Sequence, residues 1–167
     1  RRERVGQVVA VQVERGDHRV LGRAEQDLRR YAAIIESSED AVISKNLDGV
    51  IMTWNSGAER LFGYTAAEAI GRPVTMLMPP ERVDEEPGIL ARVRRGERIE
   101  HYDTVRRRKD GSAINISLTV SPIKDANGTI IGASKVARDI SERLVAQEAL
   151  RRAHEELEDR VRTRTVE

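Results

Sequence analysis

The sequence contains no cysteine. That absence excludes disulfides, thiolate metal sites, cysteine nucleophiles and photochemistry through a cysteine adduct. Aromatic residues are scarce too, at 3% of 167 positions, with one Trp and one Phe, so the core must be largely aliphatic. No apolar run approaches the ~20 residues of a membrane-spanning helix, and none of the residues reads as a signal peptide. Nor is there an excess of charge of one sign. Lys plus Arg is 29 and Asp plus Glu is 28, a net of +1, which provides no global field for nucleic acid.

What is present is a charged chain with enough apolar residues to fold: 34% charged and 39% hydrophobic. The length suits one domain plus flanking pieces. The chain starts Arg1-Arg2 and stops inside a charged helical pattern, so we read it as part of a longer protein, cytoplasmic or the cytoplasmic part of a membrane-anchored one.

Four regions follow from patterning. Residues 1–20 read as a strand or cap, or the end of an upstream segment: Val9, Val11 and Val13 alternate, although Val5, Val9 and Val13 also fit a helix. Residues 21–37 read as a flanking helix, because Leu21, Leu28 and Ile35 lie seven apart with Ala24 and Tyr31 between them, and Ser37-Ser38 ends it. Residues 38–141 read as the folded core. Ala41 to Ser44 and Val50 to Trp54 are strands around an Asp48-Gly49 turn. Short helices follow, Ser56 to Phe62 with Ser56 as N-cap candidate, and Thr65 to Ile70 with capping-box spacing from Thr65 to Glu68. Glu81 to Arg95 is helical with an expected interruption at Pro87-Gly88. Three strands then run from Ile99, from Ile114 and from Thr129. The clearest has Ile114, Ile116, Leu118 and Val120 alternating with polar residues. The expected class is α+β, a five-stranded antiparallel sheet with short inserted helices.

Residues 142–167 continue as a charged helix with two seam rows: Ile140, Gln147, His154 and Val161, then Arg143, Leu150, Leu157 and Arg164. A helix of ~25 residues, or about 37 Å, exceeds what a small domain can cover, which suggests a coiled coil between two copies. The expected dimer seam is Leu21, Leu28, Tyr31, Ile35, Leu150, His154, Leu157 and Val161.

An ordered set of motifs carries a resemblance. Asp48-Gly49-Val50-Ile51 leads to Trp54-Asn55-Ser56-Gly57-Ala58-Glu59-Arg60-Leu61-Phe62-Gly63-Tyr64, then Glu68-Ala69-Ile70-Gly71-Arg72-Pro73. Arg108-Lys109-Asp110-Gly111 and Asp139-Ile140-Ser141-Glu142-Arg143 follow. From about Leu28 to Arg143 the chain resembles a PAS domain, the small sensory module of bacterial signalling proteins. The resemblance implies a sheet cupping short helices, flanking helices that dimerise, and an output domain downstream. The tail from Leu157 to Glu167 is similar to linkers entering the dimerisation helices of sensor histidine kinases. Asp139, Ile140 and Ser141 take the position of a signal-transmission hinge in that family, while either Asp139 or Ser141 suits a local helix cap.

The same resemblance frames the ligand question. The cup candidates are Trp54, Ile89, Leu90, Val93, His101, Ile116, Leu118 and Val136. In haem-binding relatives the iron is held by a histidine after the Met-Pro break. The matching stretch from Glu81 to Gly88 has none, leaving only His101 as substitute, so haem is argued against. Covalent flavin is excluded by the missing cysteine. Non-covalent flavin against Trp54 stays open, beside the plainer reading of Trp54 as core. The cofactor is thus unknown, and none is an equal expectation.

Other features read plainly. Arg106-Arg107-Arg108-Lys109 is expected to be a solvated hairpin rather than a nucleic-acid patch. The acidic group Glu81, Asp84, Glu85 and Glu86 lacks a second group to make a metal or carboxylate-pair site. His154 is expected to fix register and dimer state, and it matches neither a phosphoacceptor box nor a zinc motif. No catalytic constellation or metal site is legible. The expected function is a regulatory module that perceives or relays a signal to a downstream output, a histidine kinase first and a diguanylate cyclase second. The alternative is a ligand-free dimerisation spacer.

Overall fold

A computed structural model of the chain describes residues 22–165. The reading of residues 1–20 and the seam position Leu21 lie outside the described residues. The chain divides into two units after Ser38. In the first, residues 22–36 form helix α1, exposing Leu28, Tyr31, Ile34 and Ile35. It ends where Ser37 donates its N–H to the Ala33 carbonyl (3.0 Å) and its hydroxyl to that of Ile34 (3.1 Å).

In the second unit the chain runs β1 (Ala41–Asn46), β2 (Ile51–Trp54), α2 (Ser56–Phe62) and α3 (Ala66–Ala69). Two 3-10 turns, Val74–Leu77 and Pro80–Arg82, lead into α4 (Glu85–Arg94). Strands β3 (Ile99–Arg107), β4 (Ala113–Lys124) and β5 (Ile130–Asp139) precede α5 (Ser141–Thr165). The five strands form one antiparallel sheet in the order β2-β1-β5-β4-β3, so the fold class is the α+β arrangement implied by the patterning. The first and last strands of the chain are neighbours at its centre.

Local chemistry explains the turns. Asn46 Oδ1 accepts from the N–H of Asp48 (3.0 Å) and of Val50 (2.9 Å), and Gly49 takes the left-handed conformation at φ +80 that closes the β1–β2 hairpin. Helix α2 begins as the patterning requires, but its cap is Asn55, not Ser56: Asn55 Oδ1 accepts from Ala58 N–H at 2.9 Å. The same oxygen accepts from Val42 N–H (2.9 Å) and Nδ2 donates to the Asp40 carbonyl (3.1 Å), so one buried amide fixes both α2 and the edge of β1. The Thr65–Glu68 capping box is present.

The expected interruption at Pro87-Gly88 does not occur. Helix α4 begins only at Glu85, which puts Pro87 in the first turn, where N–H groups have no intrahelical acceptor to lose. The alternation in β4 holds: Ile114, Ile116, Leu118 and Val120 are all buried. They pack against α2 and α4 through Phe62, Ile89 and Val93, and against Val74 and Leu77 of the first 3-10 turn.

Gly132 is where the β1–β5 pairing leaves no room for a side chain. A Cβ there would lie 2.3 Å from the Lys45 carbonyl oxygen, a backbone atom that cannot swing aside.

Leu118→Ala should destabilise the domain by about 2–5 kcal/mol in urea titration. A thermal midpoint within a degree of the parent would show that this face is not core. Gly132→Ala should cost clearly more than Gly88→Ala, whose new methyl meets nothing within 4 Å in α4. Equal melting temperatures for the two variants would contradict the close approach at Gly132.

Candidate functional site

Period-two alternation carries two lysines into the core. On β1, Ala41, Ile43 and Lys45 share the inward face; on β5, Ala133, Lys135 and Ala137 do. Lys45 is 1% exposed and Lys135 4%. The small Ala133 opposite Lys45 gives its stem space. Their counter-charge comes from α4, where Glu86, itself 4% exposed, receives a hydrogen bond from Lys45 Nζ on Oε1 and faces Lys135 Nζ with Oε2 at 3.8 Å.

A second ion pair, a buried arginine on a partly buried carboxylate, lies beside the first. Arg106 of β3 is 2% exposed, and its Nη1 donates to Glu85 Oε2 (3.0 Å), Thr104 Oγ1 (3.0 Å) and the Val105 carbonyl (2.9 Å). Glu85 also accepts from Arg82 Nη1 (2.8 Å) and from the Thr104 hydroxyl (3.2 Å). The expected solvated hairpin is therefore wrong for its first residue. Strand alternation sends Arg106 inward, while Lys109 stays outside on Glu68 (2.6 Å). The acidic group is corrected likewise: Glu85 and Glu86 are the partners of three buried cations. Among the described residues no group of acidic or histidine side chains is arranged to hold a metal ion.

Burial dominates the electrostatics. It lowers the Lys135 ammonium pKa to about 7, and the nearby Lys45 cation adds to the effect, with Glu86 opposing both. Burial also lowers Lys45, although the charge and hydrogen bond of Glu86 pull the other way. Burial acts to raise Glu85, but the bonds from Arg82, Arg106 and Thr104 outweigh it and hold its carboxyl below the ordinary value. Two buried atoms of the cluster make no hydrogen bond: Glu86 Oε2 and Arg106 Nη2.

A cavity of about 10 Å³ adjoins this cluster, space for about one water molecule. Ile43, Phe62, Val74 and Leu77 form one part of its wall, Ile116, Leu118 and Ala137 another; Arg106 and Lys135 complete it. Of the candidates read from the sequence, Ile116 and Leu118 line it. Ile89, Leu90 and Val93 are buried on α4 but do not line it. Trp54 is buried as well. Its ring stands 5.7 Å from that of Phe62, and its Nε1 donates to the Tyr64 carbonyl at 3.0 Å, so no free indole face is offered to a cofactor. His101 and Val136 do not face the cup. His101 is exposed at the bulge between Ile99 and Tyr102, with φ +50, and Val136 alternates with the inward Lys135 and Ala137.

At the end of β5, Asp139 Oδ1 accepts from Ser141 N–H (2.8 Å), so Asp139 rather than Ser141 starts α5. Ile140 is buried and donates its N–H to the Asn115 carbonyl of β4 (3.1 Å). Arg143 pairs with Asp103 of β3, and Arg108 lies 4.0 Å from Asp139. Beyond this collar α5 is exposed: Leu150 is 72% exposed, Leu157 58% and Val161 64%, while His154 lies 3.1 Å from Glu158.

A family profile described as the PAS fold matches residues 29–140 of this chain. The chain belongs to the PAS family. Its PAS domain is 36% identical over 132 residues to the two-component system protein A of Emericella nidulans, covering 75% of this chain and 19% of that protein. It is 28% identical over 120 residues to the signal transduction histidine-protein kinase AtoS of Escherichia coli, covering 72% and 19%. The chain spans 17% to 25% of the length of such curated relatives. Among solved structures, the PAS domain of a Colwellia psychrerythraea protein superposes with a TM-score of 0.63 at 32% identity, covering 69% of this chain and 98% of that one. The PAS domain of a Haloarcula marismortui HTR-like protein shares the fold at 22% identity and a TM-score of 0.64, covering 74% and 99%.

The residues that sequence reasoning missed in this PAS domain are Lys45, Glu86, Arg106 and Lys135. A signal for the lysines was available: each interrupts the apolar phase of its strand, Lys45 two residues after Ile43 and Lys135 midway between Ala133 and Ala137. Nothing in the sequence paired them with Glu86, forty-one positions from Lys45.

The cluster predicts an unusual pH dependence. Below about pH 7 both folded and unfolded chains carry the Lys135 proton, and the burial penalty is fully felt. Between about 7 and the ordinary 10.5 only the unfolded chain binds it, so stability should rise with pH across that window. Lys135→Met should flatten the rise, leaving the part due to Lys45. Denaturant titrations over this range that give the same slope for both proteins would contradict the assignment.

Proposed function

We propose that this PAS domain is a sensory or relay module of a larger cytoplasmic signalling protein, one whose output is a histidine kinase. It passes distortions of its sheet into α5 through Asp139, Ile140 and Ser141, and two copies pair along α5. The observation that carries the reading is the collar at the sheet–helix junction. Its bonds reach β4 through Asn115, β3 through Asp103 and β5 through Asp139, so a shift of the sheet cannot leave the start of α5 unmoved. Beyond it, Leu150, Leu157 and Val161 lie exposed at seam spacing. The AtoS and two-component relatives support a kinase as output.

The small cavity favours relay over sensing of an organic cofactor. A flavin or haem is far larger than this space and would require Phe62, Val74 and Leu77 to move away from the sheet. The domain's role is regulatory, and catalysis belongs to the output.

Because the chain lacks cysteine, single introduced cysteines report the pairing directly. Leu157→Cys should form an intermolecular disulfide under mild oxidation, while Arg152→Cys, off the seam, should not. Removing residues 146–167 should lower the sedimentation mass from dimer to monomer at micromolar concentration. An unchanged mass with equal cross-linking at both positions would sink the α5 dimer.

A further inference from the structure

Two lysines from neighbouring strands meet one carboxylate in the core, and they meet it unequally. Lys45 Nζ of β1 donates a hydrogen bond to Glu86 Oε1. Lys135 Nζ of β5 stands 3.8 Å from Oε2, too far for a hydrogen bond. Oε2 is buried and makes no hydrogen bond, so this carboxylate has one oxygen in use and one in reserve.

Counting charge shows what the reserve is for. Lys45 with Glu86 and Arg106 with Glu85 are two balanced pairs. A neutral Lys135 amine leaves the cluster balanced. A protonated one adds a buried cation that has no carboxylate of its own, and a buried cation is costly without a partner. The acceptor that faces it is Glu86 Oε2. A charge-assisted bond between them requires the gap to close by about 1 Å, to about 2.8 Å.

The two sides of that gap are not equally free to move. Lys135 lies on a strand hydrogen-bonded along both edges, to β1 and to β4. Glu86 lies in the first turn of α4, where the helix has not yet begun its own hydrogen-bond ladder. Closure therefore falls on the helix.

We propose that Lys135 and Glu86 form a proton-operated latch between β5 and α4: proton uptake by Lys135 draws Glu86 Oε2 onto it and shifts the first turn of α4. The purpose of the latch rests on the sensory reading, which it deepens by naming the proton as a signal; its chemistry does not depend on the α5 dimer. The charged groups around Lys135 are Lys45 from β1 and Arg106 from β3, which oppose the proton, and Glu86 and Glu85 from α4, which favour it. Its β4 neighbour, Val120, is apolar. Burial outweighs them all and brings proton release to about pH 7. The latch is closed on the acid side of neutral and open on the alkaline side, a range in which an exposed lysine stays charged throughout. Lys135 lies on the strand that continues through Asp139 into α5, so a pull on β5 reaches the collar.

Nuclear magnetic resonance on the whole chain tests this. The lysines of the chain are Lys45, Lys109, Lys124 and Lys135, few enough for each side-chain carbon signal to be followed through a pH titration. Assignment through the backbone means that no variant has to fold. The Lys135 signal should titrate near pH 7, about three pH units below those of the exposed Lys109 and Lys124. The Overhauser contact between the Lys135 and Glu86 side chains should strengthen as pH falls, and the backbone carbon signals of Glu85 to Gly88 should move, both with the Lys135 midpoint. In Lys135→Met the movement of Glu85 to Gly88 should vanish. Lys135 titrating together with Lys109 and Lys124 would overturn the latch. So would a neutral midpoint that leaves the contact and the α4 signals unchanged. Cross-linking through Leu157→Cys would be unaffected by either failure, so the two proposals fall separately.

Discussion

Lysine on the apolar face of a central strand has two fates. Either its ammonium reaches solvent, or a carboxylate comes to it. Lys45 and Lys135 are both too deep for the first, so Glu86 must reach them, and that requirement fixes where α4 lies. A helix held to a sheet by aliphatic contacts alone could slide by part of a turn at modest expense. One that delivers Glu86 to two strands and Glu85 to a third has a single seat. Breaking a buried pair by removing one partner typically costs about 3–5 kcal/mol, so these ions specify arrangement more than they add net stability. The acidic pair also opens α4, where the helix dipole favours negative charge.

What the sequence revealed and what it hid divide along this line. Strand order of appearance, the Asp48-Gly49 turn, the Thr65 capping box and the alternation of β4 are short-range signals, and each was legible from neighbouring residues. The failures are of two kinds. Asn55 caps α2 because its amide is also claimed by Asp40 and Val42, long-range partners no local rule sees. Pro87 looked like a break because the start of α4 was placed too early; a boundary four residues later makes the same proline harmless. The charge cluster was hidden for a deeper reason. Charged residues are assigned to the surface by default, so Arg106 in a basic run and Glu86 in an acidic one each vanish into an ordinary solvated reading. Only the tertiary fold shows that the two runs answer one another across the cup.

The two halves of the domain are therefore specialised differently. The cup side is filled, ionic and tightly registered. The opposite end, where β5 gives way to α5, is held by a ring of exposed or half-exposed pairs, Arg143 with Asp103 and Arg108 with Asp139, beside one buried backbone bond from Ile140. Exposed pairs are individually weak, typically below about 1 kcal/mol, so this joint can rearrange without unfolding the sheet. A rigid body with a yielding collar is the mechanical division a relay needs.

The strand order β2-β1-β5-β4-β3 has an evolutionary consequence as well. Because β1 and β5 are antiparallel neighbours, with Ala41 opposite Ala137, the chain enters and leaves the domain at adjoining points of the same sheet end. Arg138 and Asp40 clasp those two points in a bidentate pair, Nε at 3.0 Å and Nη2 at 2.7 Å. A hundred residues are thereby folded into an excursion whose two stems are already fastened together. Such a unit can be spliced into a longer polypeptide, duplicated or deleted while the host chain continues almost from where it stopped.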